Sequence, residues 1–275
     1  MHTSSLVDRY QQHVVTALLA RVAATNLVRP DMFDFEVVRQ STTTGVLAHQ
    51  WSPAPDGVPF NRVYNYTALG TMPADPLLTD VGDAMVDAVV EVLAGPHEAA
   101  ASARLRRAGW TPRWQIPWLH VPLTQVMLPA PTVQVRSVRP TELAQFATVL
   151  VQGYGYTGEQ ATYWHTFTQY GYTAPGFHCF VAEMNSVPVG VGVLHLAGTT
   201  ALVDGAATLP PYRSRGAQTA LLVARLHYAR DQGCTYAVSR TERGSISQQN
   251  MAKLGLRVVT HSTAWRVGSA LDGAV

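Results

Sequence analysis

Apolar positions recur along this chain with two spacings, every three to four residues and every second residue, and the changes between them mark out its elements. Leu6, Tyr10, Val14, Leu18 and Val22 follow the first spacing, which predicts an amphipathic helix over residues 6–26 with Ser4 or Ser5 as its cap. Residues 33–39 and 45–51 read as strands. A Pro-rich loop over 52–59 separates them from a third strand over 61–68, where Val63, Asn65 and Thr67 oppose Tyr64, Tyr66 and Ala68. A turn rich in Gly, Pro and Asp over 70–76 leads into a predicted helix over 77–93. A second helix over 98–108 stops at Gly109, and 111–122 is an extended, tryptophan-rich segment broken by Pro112 and Pro117.

Between residues 122 and 132 stand three prolines and few charges, which places a domain boundary there: an N-terminal domain over 1–122, a linker over 123–131 and a C-terminal domain over 132–275. The pattern then restarts. A strand over 132–138 precedes a helix over 140–152 with Pro140 in its first turn, and a tyrosine-bearing loop leads to a helix over 158–170. Residues 177–183 and 187–196 form a hairpin across Met184-Asn185-Ser186, followed by a strand over 200–208. A long helix runs to Gln232 and ends at Gly233; then come a strand over 235–240, a short helix over 247–254 ended by Gly255, and a strand pair over 256–267. Leu105-Arg-Arg-Ala-Gly109-Trp is echoed by Met251-Ala-Lys-Leu-Gly255-Leu, which suggests a distant internal repeat; coincidence of two mixed α/β units is the other explanation.

The stretch from Leu202 to Leu222 carries the clearest chemistry. Its apolar start is bounded by Pro210 and Pro211, and its end opens the helical pattern Ala220, Leu221, Ala224, Leu226. Arg213, Arg215 and Gly216 fall between, where the first amides of the helix, its dipole and two guanidinium groups make an anion site suited to a pyrophosphate. A solvated turn with two surface arginines is the alternative. The matching loop of the first half, over 70–76, offers no cation.

Composition narrows the classes. The chain has 275 residues, 47% hydrophobic and 14% charged, enough for one large or two modest globular domains. A formal net charge of +2 gives no ground for a nucleic-acid or membrane-surface partner. No apolar run is long enough to span a bilayer and the first residues lack a signal-peptide pattern, so the expected compartment is the cytoplasm and the expected state a monomer or homodimer. Cys179 and Cys234 read as reduced core residues, and the ten histidines show no metal-ligand spacing, so no metal is expected. A Walker loop, a Gly-x-Ser-x-Gly elbow, a His-Glu-x-x-His motif and a Cys-x-x-Cys pair are all absent.

Arg213-Ser-Arg-Gly216-Ala-Gln218 resembles the cofactor loop Arg/Gln-x-x-Gly-x-Gly/Ala of the GNAT (Gcn5-related N-acetyltransferase) family, with Gln218 where a small residue is usual. The element order over roughly 132–267 is similar to that family, and Ser247-Gln-Gln-Asn250-Met-Ala-Lys-Leu-Gly255-Leu resembles its late motif. The resemblance implies an α/β (α+β) fold of two tandem GNAT-like modules, each a mixed, mostly antiparallel sheet flanked by helices. The first would be a degenerate copy that walls the acceptor cleft. It implies acetyl-CoA as co-substrate and a small-molecule amine as acceptor. The pyrophosphate would lie on Arg213, Ser214, Arg215, Gly216, Ala217, Gln218, Thr219 and Ala220 and the pantetheine along the strand from Leu202 to Leu209, with Asn250 near the pantetheine arm. The family's usual base is a carboxylate on the strand before the loop, which selects Asp204, although a carboxylate satisfied by a turn or an arginine is as good a reading. The usual late-helix tyrosine acid is missing, replaced by Met251, Lys253 and Leu254. Tyr154 and Tyr156, on the loop that lines the acceptor site in this family, are then the candidates to act or to stack on substrate, or they simply cover the core. Ser245 and Ser247 read as cap residues, His195 as a core histidine and His165 as a helix-face residue. A non-catalytic acyl-CoA-binding or regulatory protein, or other acyl-CoA chemistry such as decarboxylation, are the alternatives.

Overall fold

Strand-forming runs from both halves of the chain join in one sheet. The computed structural model describes residues 3–29, 36–42, 45–51, 62–64, 89–95, 98–126 and 128–267. The N-terminal half contributes α1 (Thr3–Val28), β1 (Glu36–Thr42), β2 (Gly45–Trp51), β3 (Arg62–Tyr64), β4 (Val89–Leu93), α2 (Glu98–Arg107) and β5 (Trp110–Pro122). The C-terminal half contributes β6 (Gln134–Ser137), α3 (Leu143–Tyr154), α4 (Gly158–Gly171), β7 (Phe177–Met184), β8 (Val187–Ala197), β9 (Thr200–Thr208), α5 (Ala217–Asp231), β10 (Tyr236–Arg240), α6 (Ile246–Lys253) and β11 (Arg257–Val267). The strand order is β1-β2-β3-β4-β11-β5-β10-β9-β8-β7-β6, antiparallel throughout except for the parallel pairs β3–β4 and β9–β10. This is a mixed α/β fold with a mostly antiparallel sheet flanked by helices.

Three expectations need correction or restriction. Residues 89–93 are a buried strand and not the end of a helix; the run Val89, Val90 and Val92 lies between β3 and β11, and β-branched side chains favour that pleated, two-sided burial. The final strand pair is one continuous strand, β11, which pairs with β5 along almost its whole length and with β4 at its far end. A one-residue bulge near Thr260 and another near Trp265 let it follow the sheet's twist without a turn. The start of the strand expected over 33–39, the ends of that over 61–68, the turn over 70–76 and the helix over 77–88 lie outside the described residues.

Helix α3 shows how the layers are held. Leu143, Phe146, Val149 and Leu150 are buried on one stripe against Val181, Val191 and Val193 of the sheet. Burying each such side chain stabilises the fold by about 1.5–3 kcal/mol. Gly153 brings the helix so close to β9 that a Cβ there would lie 2.6 Å from Ala207 Cβ. On the other face, α5 packs Ala220, Leu221, Val223 and Leu226 into a second core with Leu119, Leu194 and Val203. Helix α1 differs from its expected stripe. Burial falls on His13, Ala17, Val22 and Thr25, with Val14 and Leu18 at the margin. This face is partly polar because it meets α4 and the charged end of β9, where polar side chains find partners.

Candidate active site

Strands β9 and β10 stay paired only from Thr200–Tyr236 to Val203–Ser239. Beyond that point β9 follows β8 alone, and the two central strands part. The cause is local. The register between β8 and β9 steps from Val193–Asp204 to Gly192–Ala206, so Gly205 is an extra residue that bends β9 away. Ser239 Oγ donates to Val203 O at 2.8 Å, a last tie at the apex of the gap. The gap widens into a cleft of about 330 Å³ bordered by Asp204, Gly205, Gln218, Arg225, Asn250 and the Tyr154 ring.

At one end of the cleft the chain turns from β9 into α5. A short turn over Pro210–Tyr212, Ser214 at φ 60° and Gly216 at φ 86° reverse the chain so that α5 starts with its amides facing outward. Ala217, Gln218 and Thr219 open the helix, and their N–H groups have no carbonyl one turn earlier within it. Gly216 is required on two counts: its backbone is left-handed, and an added Cβ would lie 3.0 Å from Thr132 Oγ1. The first bond of the helix runs from Ala220 N–H to Gly216 O at 2.9 Å. Arg213 and Arg215 are exposed but not alike. Arg213 donates to Gly153 O at 2.8 Å and to Thr208 O at 3.3 Å, tying the end of α3 to β9. Arg215 lies over the Tyr212 ring, 5.7 Å from its centroid. Asn250 Nδ2 donates to Gln218 Oε1 at 2.8 Å, so the unusual residue of the loop and the late asparagine form one polar pair on the cleft wall.

At the other end stand Asp204 and residues from distant parts of the chain. The Asp204 carboxylate is 39% exposed and lies 3.9 Å from the Arg21 guanidinium of α1. The Tyr154 ring is half exposed, yet its hydroxyl is the inward end. Burial first, then Asp204 and Tyr156, push it up to about 12, against the Ala206 amide and Arg225, which hold it down. It is therefore a neutral donor at physiological pH. Tyr156 stacks on Trp164 with its ring centroid 5.5 Å away and the planes 7° apart, and its ring lies 5.6 Å from that of Tyr154. His13 Nε2 and His195 Nδ1 are 2.7 Å apart in the core; burial, reinforced by His195, lowers His13 to about 4. His165 binds Ala144 O at 3.0 Å and joins α3 to α4, and Ser245 caps α6 by accepting from Gln248 N–H. Burial pushes the Cys179 thiol up to about 12 and leaves it inert.

Two features lie outside the motifs read from the sequence. Arg225, 2% exposed in the middle of α5, donates from Nη1 to Val193 O at 2.9 Å and Asp204 O at 2.8 Å, and from Nε to Leu221 O at 3.0 Å. It thus bridges the carbonyls of the paired residues Val193 and Asp204 at the edge of the bulge, and Gly192 makes room for it, since a Cβ there would lie 2.9 Å from Arg225 Cζ. A charge inside an apolar helical stripe was the available hint. Arg240, on the cleft wall, donates to the buried Glu91 of β4 at 2.6 Å, and Glu91 accepts from Ser262 Oγ at 3.3 Å. That pairing crosses from one half of the chain to the other, so no neighbouring residues announce it.

Residues 143–256 match the acetyltransferase (GNAT) family. None of the curated proteins compared matches the chain. Solved structures agree in fold. A GCN5-related N-acetyltransferase from Kribbella flavida superposes with a TM-score of 0.60 at 18% identity, covering 93% of this chain and 96% of its own. One from Sphaerobacter thermophilus gives 0.58 at 17%, covering 82% of each chain. A tandem GNAT protein from the clavulanic acid biosynthesis pathway gives 0.60 at 14%, covering 90% of this chain and 86% of its own. Parted central strands, a bulge at their apex and a glycine-entered helix fall within residues 143–256, the part of the chain that matches the GNAT acetyltransferase family.

Proposed function

We propose that the protein transfers an acetyl group from acetyl-CoA to the amine of a small molecule by direct attack. The carrying observation is the cleft itself, lined by Gln218 in the first turn of α5 and by the Asp204 carboxylate and Gly205 at the bulge of β9. Acetyl-CoA supplies an acyl group activated as a thioester. Leu209, Ser214, Gly216, Ala217, Thr219 and Ala220 shape the loop whose amides take the pyrophosphate, with Arg215 as its exposed cation and Arg213 as the strut behind it. Gln218 and Asn250 line the path of the pantetheine arm as a hydrogen-bonded pair.

At the reacting end, the bulge leaves the Gly205 amide outside the ladder and able to donate to the thioester carbonyl. Asp204 takes the proton shed by the amine as its nitrogen bonds the acyl carbon. Tyr154 gives its proton to the sulfur as the carbon–sulfur bond breaks, the role of the tyrosine absent from α6, and Tyr156 bounds the acceptor. The N-terminal half, which we read as a degenerate module of a tandem pair, closes the cleft with α1.

Calorimetry with acetyl-CoA and a thiol-release assay over an amine panel test this reading. Binding with release on at least one amine is expected. Binding without release on any amine would turn the assignment to an acyl-CoA sensor, and no binding would end it. Asp204→Asn should cut turnover about 100-fold with CoA affinity within twofold, and Tyr154→Phe about 10-fold. Full activity in either variant removes that residue from the mechanism.

A further inference from the structure

Arg21 is built like a binding group. Its side chain is 13% exposed, and its guanidinium is clamped between two rings, 4.5 Å from the Phe167 centroid and 4.3 Å from that of Tyr172. Such a sandwich fixes the plane of the fork and spends none of its five N–H groups. Among the described residues the guanidinium donates no hydrogen bond, and its Nε is buried without a partner. Asp204, 3.9 Å away, is too far for a direct bond and stays partly open to the cleft. A largely buried cation with no hydrogen bond among the described residues is costly to keep, and the protein holds it beside the carboxylate at the bulge.

A fixed guanidinium fork matches a carboxylate in two parallel bonds, and an adjacent carboxylate matches an ammonium. The two charges stand side by side with a gap between them, so the complementary ligand carries both opposite charges on neighbouring atoms. We propose that the acceptor is an α-amino acid or a close analogue, its carboxylate on Arg21 and its reactive amine on Asp204. The proposal rests on the transfer reading above and names its substrate class. It also gives α1 a function: the N-terminal half supplies the group that selects the acceptor, and the C-terminal half supplies the donor site.

The test uses the full chain, acetyl-CoA and three matched sets of acceptors: free L-amino acids, their carboxamides, and the amines that lack the carboxyl carbon. Wild-type protein should use the best free acid about 100-fold better in kcat/KM than its carboxamide. Arg21→Gln should raise KM for the acid about 30-fold with kcat within about threefold, and shrink the acid-over-amide preference to a few-fold; Arg21→Lys should recover part of it. Equal use of acids and carboxamides by the wild type overturns the proposal and needs no variant, so a misfolded Arg21→Gln protein does not shield it. A preference that survives Arg21→Gln in a folded protein overturns it as well. Turnover of carboxylate-free amines alone refutes the amino-acid acceptor and leaves the transfer reading standing, whereas binding of acetyl-CoA with no turnover of any acceptor refutes both.

Discussion

The loop entering α5 and the bulge of β9 are opposite ends of one cleft, and they are made in opposite ways. The loop is local: residues 209–220 supply its amides, its left-handed glycine and its cations within one turn of chain. The bulge end is assembled across the fold, with Arg21 from α1, Tyr154 from α3, Asp204 from β9 and Arg225 from α5. A group that recognises a constant part of a substrate can be a compact backbone motif, because amides at a helix start are always available. A group that recognises a variable acceptor needs side chains aimed from several directions, which only a packed framework provides.

Three changes break or sharpen that contrast. Arg225→Met should do the most, because it strips the carbonyls of Val193 and Asp204 of a buried donor and leaves the bulge unsupported. A loss of about 3 kcal/mol or more in urea denaturation is expected, along with lost turnover. A loss under about 1 kcal/mol would show that the strands hold the bulge by themselves.

The His13–His195 pair gives the next effect. His13 has its folded value lowered to about 4 from the ordinary 6.5, so between those values the unfolded chain binds more protons and stability falls as the pH falls. The loss should approach about 3 kcal/mol near pH 4, with none above about pH 7. His13→Asn should flatten this slope when urea midpoints are followed across pH 4–7; an unchanged slope would place the acid sensitivity elsewhere.

The smallest effect belongs to the local end. Gly216→Ala forces a side chain into left-handed backbone and against Thr132 and should cost about 1–2 kcal/mol. Acetyl-CoA affinity should fall about 10-fold while amino-acid KM values stay put. If both move together, the two ends are coupled and the contrast fails.

How far the chain could be read without its fold follows the same division. The strand, positive-φ glycine and helix of the loop were legible because every part lies within a few residues of the next. The helices of the C-terminal half were legible too, from apolar stripes and Gly stops such as Gly233 and Gly255. The strand at 89–93 was misread as helix since a short apolar run fits either period until its neighbours in the sheet are known. Arg21 carries no motif in the sequence, and the rings it lies against belong to residues about 150 positions away.

By itself, the order of residues determined the elements of the C-terminal half, the turn that enters α5 and the match of residues 143–256 to the GNAT acetyltransferase family, since each rests on short-range spacing and backbone geometry. Only the tertiary structure decided that both halves share one sheet, that Arg225 props the bulge open, and that Arg21 meets Asp204. Those are contacts between elements far apart in the chain. Their energies depend on burial and on which carbonyls and rings are left to be partnered, and these quantities do not exist until the chain is packed.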